Sequence, residues 1–92
     1  MHVEIQALAR ELDEAASLFQ KHALVHWASW LRKDSALMRK GDSYGIEHLL
    51  SAFGGMGSIG DPVLPNAQDD THLRSLLSSM YARAQALHRE QA

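Results

Sequence analysis

Ser58, His48 and Asp61 supply the three side-chain types of a nucleophile, its base and an orienting carboxylate, and they fall within fourteen residues. Nearness along a chain does not build a triad, because the chemistry needs hydrogen-bond geometry. A helical domain of 92 residues also has little room for an enclosed substrate site. The expectation is no enzymatic activity and no catalytic residue. Six histidines raise metal chemistry next. His22 and His26 are four residues apart and would share one helix face, with a third ligand from His48, His72 or an acid. No glutamate stands between them in the His-Glu-x-x-His arrangement. The plainer reading is surface histidines, or one packed beside Trp30 with its nitrogens hydrogen-bonded. No metal and no cofactor are expected.

The run Phe53 to Asp61 places four glycines, Gly54, Gly55, Gly57 and Gly60, within seven residues. Such density marks backbone that turns with positive φ or closely approaches another surface. Gly54 could sit just past a helix end at Phe53. Met56 and Ile59 would then fold back onto the core, making this an ordered structural loop. Consecutive amides in such a loop can cradle an anion. However, no Gly-Lys-Ser/Thr follows, and no strand–loop–helix context surrounds the run.

Basic residues Arg32, Lys33, Arg39 and Lys40 could touch phosphates. A helix-turn-helix would then make residues 43–53 the reading helix, yet that segment holds no Arg or Lys. With a net charge of −2, nucleic acid is not expected as a partner. The charge is uneven. Residues 1–20 carry Glu4, Glu11, Asp13 and Glu14 against Arg10 alone, and residues 21–40 carry Lys21 and the four bases above against Asp34 alone. This predicts complementary faces on neighbouring helices.

The elements that must position these groups are helices. Ile5, Leu8, Leu12, Ala15, Ala16 and Phe19 recur at three- and four-residue steps, one stripe of a helix from Val3 to Phe19. Ala23, Trp27, Trp30, Leu31, Leu37 and Met38 give a second, from His22 to Arg39. Nothing but a break near Gln20–His22 keeps these from forming one long helix, and a small domain favours the break. Gly41 reads as the residue after the second helix. Asp42 or Ser43 would cap a short third helix ending at Phe53. Pro62 and Pro65 predict an extended piece whose Val63 and Leu64 plug the core. A last helix starts near Asp70 or Thr71, with Asp69 and Asp70 as caps. Trp27 and Trp30 read as core anchors, or as a contact for a protein partner. The fold class is all-α: a compact four-helix bundle, one domain over residues 1–92, with the Gly-rich loop between the short third helix and the last.

Cysteine is absent, which excludes disulfides and thiolate chemistry. No signal peptide opens the chain and no segment reaches the roughly 18 apolar residues of a membrane span. A cytoplasmic location, without membrane association, is the expectation.

The stretch Glu47 to Leu64 resembles a small family of uncharacterised bacterial domains with a Leu-Leu-x-x-Phe-Gly-Gly-Met-Gly-Ser core. Trp27-Ala28-x-Trp30-Leu31 and the closing leucine-rich helix with Tyr81 are similar to it as well. Gly60 stands where that family commonly has Asn, and Pro62 where it commonly has Leu. The resemblance brings no assigned chemistry. By association it implies a toxin-immunity role: stoichiometric binding of a cognate bacterial toxin or effector. The expected contacts are Asp61, Asp69 and Asp70 on a basic cleft, with Met56, Ser58 and Trp27 beside them. A homodimeric structural protein is the alternative.

Overall fold

The computed structural model describes residues 2–54 and 57–91. Four helices follow one another: α1 (Val3–Lys21), α2 (Val25–Arg39), α3 (Tyr44–Leu50) and α4 (Ala67–Gln91), with a 3-10 turn (Ser51–Phe53) extending α3. No strand occurs among the described residues. The core joins Leu8, Leu12 and Phe19 of α1, Leu31 and Met38 of α2, Ile46 and Leu49 of α3, and Leu73, Leu77 and Met80 of α4. These are the stripes that the helical spacing predicts, and together they make an all-α bundle.

The break between α1 and α2 is real and falls at His22–Leu24. It is made without glycine. Ala23 adopts φ 63°, its amide donates to Gln20 O at 3.0 Å, and the amide of Leu24 donates to Phe19 O at 2.8 Å. The same two-bond closure recurs after α2. There Gly41 takes φ 80°, donating to Met38 O at 3.0 Å, while Asp42 N donates to Leu37 O at 2.9 Å. Both are Schellman ends, in which one left-handed residue lets orphan carbonyls find donors. Glycine bears that conformation freely, whereas alanine is strained by its Cβ.

Several details differ from the expectation, beginning with α2, which starts at Val25 rather than His22. Gly54 is extended, with φ −113°, so it is not a left-handed cap; the positive φ of the loop is at Gly57, 71°. The last helix begins at Ala67, because Asn66 accepts from Asp69 N at 2.8 Å through its side chain and so caps earlier than Asp69 or Asp70 could. Leu64 is buried but Val63 is 76% exposed, since neighbours in an extended segment point to opposite sides. Gly55 and Met56 lie outside the described residues.

The loop is fastened to α4 by charge. Arg74 donates to Gly60 O at 2.5 Å and also to Pro62 O. Asp70 accepts from Leu64 N at 2.9 Å. Ile59, fully buried, donates its amide to Ala52 O at 2.8 Å. Complementary helix faces appear as well: Arg39 pairs with Asp13 at 2.6 Å, and Arg83 reaches Glu11 at 3.1 Å.

Two stability measurements check this account. Ala23→Gly should raise the free energy of urea unfolding by about 1 kcal/mol by relieving the left-handed alanine. Arg74→Ala should lower it by about 2 kcal/mol, the usual scale for hydrogen bonds to a charged group, and should leave helix content by circular dichroism nearly unchanged.

Candidate functional site

An acid on an apolar stripe is where local chemistry departs from ordinary packing. Leu31, Asp34, Ser35 and Met38 occupy the buried face of α2. Asp34 is 0% exposed. Its cover is α3, which descends on α2 at Gly45. A Cβ there would meet Asp34 O and Leu37 Cβ at 3.0 Å each, so any larger residue would push the two helices apart by a few tenths of an ångström. Three residues further on, His48 is delivered to the carboxylate. Its Nδ1 lies 2.5 Å from Asp34 Oδ1.

Trp30, one turn before Asp34, closes the site from α2. Its ring stacks on His48 with centroids 4.2 Å apart and planes 16° apart. Further rings continue in both directions: Trp27 lies 5.3 Å from Trp30, His26 4.7 Å from Trp27, and Tyr44 5.7 Å from His48. The five rings form a ladder across α2 and α3. Trp27 and Trp30 are half-buried, and Tyr44 is 51% exposed.

Burial raises the Asp34 pKa from its ordinary 3.8 to about 6. Loss of water around the carboxylate is the largest cause, opposed by the hydrogen bond and charge of His48, the charge of Lys33, and the Trp30 indole. Asp34 Oδ2 and Trp30 Nε1 are buried and make no hydrogen bond with the described residues. A carboxylate holding one imidazole nitrogen fixes the ring for work at the other. One surface groove of about 380 Å³ is lined by Phe53, Gly60, Arg74 and Tyr81, and another of about 420 Å³ by Asp13, Leu18 and His72.

The residues singled out in the sequence scatter. Ser58 binds Asp61, Oγ to Oδ1 at 3.2 Å and N to Oδ2 at 3.1 Å, while His48 belongs to Asp34, so no triad assembles. Asp69 contacts Lys21 at 2.8 Å and His22 at 2.9 Å, with Lys21 first and His22 second holding its carboxyl below the usual range. Asp70 is committed to Leu64 and Arg74. Asp61 is exposed. Trp27 lies in the ring ladder, and Met56 lies outside the described residues. Among the described residues, no cluster of three or more His, Asp or Glu could hold a metal. The sequence reading of a histidine beside Trp30 matches His48. Asp34 was missed, although an acid between Leu31 and Met38 on the apolar stripe was its signal.

Residues 20–72 match a family described as a domain of unknown function, DUF6966. The chain belongs to that family. The DUF6966 region contains Trp27, Trp30, Asp34, Gly45 and His48, together with the Gly-rich loop. No curated protein and no solved structure matches the chain.

The raised Asp34 pKa sets a sign. The stability tied to this group's proton is present below pH 3.8 and is lost as pH rises through about 6. Asp34→Asn has no such loss. Its stability relative to the native protein should therefore improve from pH 4 to pH 7, by at most about 3 kcal/mol. Urea unfolding at a series of pH values reads this difference, and a gap independent of pH would refute it.

Proposed function

We propose that this chain is a protein-binding module that engages its partner through the ring ladder of α2 and α3. The supporting observation is the concentration of partly exposed His26, Trp27, Trp30, His48 and Tyr44 on one connected surface. Aromatic groups of this kind give large contact area at small entropic cost, and they dominate interface energetics. Val25, 65% exposed at the start of α2, adds apolar area near it. Backing by the bundle core keeps the rings ordered before contact, which lowers the cost of association.

The specific role we propose is immunity: stoichiometric neutralisation of a bacterial toxin or effector in the cytoplasm. The acid-rich character of the chain and the family resemblance motivate it. Asp69 and Asp70 are engaged with other elements of the fold, whereas Asp61 is exposed and bonded only to its neighbour Ser58, so of the three it is the acid most open to a basic cleft. The ladder then anchors and Asp61 steers.

Co-expression with neighbouring reading frames of the native locus, followed by a growth-rescue assay, tests this role. A one-to-one complex that restores growth supports it. In that complex Trp27→Ala and Tyr44→Ala should each weaken binding by roughly tenfold or more, as buried aromatic contacts do. Asp61→Asn should mainly slow association and reduce its salt dependence. Unchanged affinity in both aromatic variants would remove the ladder as the contact. Self-association by light scattering, with no rescue, would favour the homodimeric alternative.

A further inference from the structure

The ring ladder carries one polar atom whose chemistry is set by the group behind it. Taking the ladder as the contact surface, a reading on which this step rests, we propose that Nε2 of His48 accepts a hydrogen bond from a cation, and that the partner supplies it as an arginine guanidinium.

The state of that nitrogen follows from a count of hydrogens. Asp34 Oδ1 and His48 Nδ1 stand 2.5 Å apart, and a proton must lie between them, because two bare lone pairs repel at that distance. At pH 8 an imidazole carries one proton, and the Asp34 carboxyl, raised by burial to about 6, has lost its own. The single proton of the pair is then the one between Oδ1 and Nδ1, so Nε2 keeps a bare lone pair. Nε2 has no hydrogen-bond partner among the described residues, yet it is not buried as Trp30 Nε1 and Asp34 Oδ2 are. The His48 side chain is 18% exposed, with Asp34 covering its Nδ1 and Trp30 covering a face. It therefore presents to solvent an atom that accepts and cannot donate.

Three features select a cation for this acceptor. In this state the pair carries one negative charge, on a carboxylate that is fully buried and so weakly screened by water. Tyr44 lies 5.7 Å from His48 and is exposed, so a cation bonded to Nε2 can also lie over the phenol ring, within the roughly 6 Å of a cation–π contact. The start of α3 adds further acids: Asp42 accepts from Tyr44 N at 3.0 Å, and Glu47 is exposed beside His48 in sequence. Lys33 of α2 is the charge that opposes them. A guanidinium suits the place better than an ammonium, because its plane stacks on a ring while its edge donates.

Nitrogen-15 NMR of the full chain at pH 8 tests this in two steps. The histidine ring spectrum should show the His48 proton on Nδ1 and a bare Nε2. Titration with the blocked tripeptide acetyl-Gly-Arg-Gly-amide should then shift Nε2 and the amides of Tyr44 and His48 saturably, with a dissociation constant on the order of 10 mM, the affinity of a few exposed contacts. The same peptide with citrulline, the neutral isostere of arginine, should bind about fivefold more weakly, and the lysine peptide should also bind more weakly than the arginine one. Tyr44→Ala should weaken the arginine peptide by about threefold. A proton on Nε2, no saturable shift up to about 100 mM, or equal binding of the citrulline or lysine peptide would overturn the proposal. The peptides report on the cation site alone, whereas the affinity of Trp27→Ala for the partner reports on the ladder, so either can fail while the other stands.

Discussion

The constraint on which the α2–α3 corner depends is the burial of one carboxylate. Asp34 lies on the face of α2 that the hydrophobic pattern assigns to the core, so it must find a donor inside the protein. His48 is its hydrogen-bond partner, and it can arrive only if α3 lies almost in contact with the α2 backbone. Gly45 permits the approach. Trp30 then covers the pair from the side. Removing any one of these leaves the others worse placed than in a simple apolar core, because an uncompensated buried charge costs more than an absent one.

Charge serves a second purpose at the opposite end of the short helix. The segment from Gly57 to Asn66 has little regular structure, so its backbone groups need partners from elsewhere. Arg74 and Asp70, one turn apart on α4, supply donors and an acceptor to Gly60, Pro62 and Leu64. Ile59 and Leu64 can then occupy the core from a loop. The acids that looked suited to an outside partner are in part consumed by this task. Asp69 is similarly occupied, tying the start of α4 to the end of α1.

Helix identity was legible in the sequence because apolar residues repeat at the helical period, and that signal is strong over segments as long as α1 and α4. The glycine at position 41 was legible because a left-handed cap has a strong residue preference. The equivalent cap at Ala23 was not, since alanine carries no such mark and tertiary packing alone imposes the conformation. The start of α4 was read late because asparagine and aspartate are comparable cap residues, and residue type alone does not say which of Asn66, Asp69 and Asp70 takes the position. The site itself was half legible. A histidine packed beside Trp30 was among the readings of the six histidines, but which histidine, and its pairing with Asp34, depend on the crossing of α2 and α3, which no local pattern encodes.

Gly45 carries a consequence for how this family can diverge. Its missing side chain is the clearance that brings His48 to Asp34, so the three positions form one unit of inheritance. A relative that acquires a methyl group at position 45 brings it to 3.0 Å from Asp34 O and Leu37 Cβ, so α3 must give by a few tenths of an ångström and the short contact of the histidine with the carboxylate is stretched. The viable route is joint replacement, with an apolar residue at position 34 and freedom at position 48. Aligned relatives should therefore divide into two groups at these positions, with few mixed combinations. Sorting them by the residue at position 45 would separate members that keep the proton pair from members that only keep the bundle.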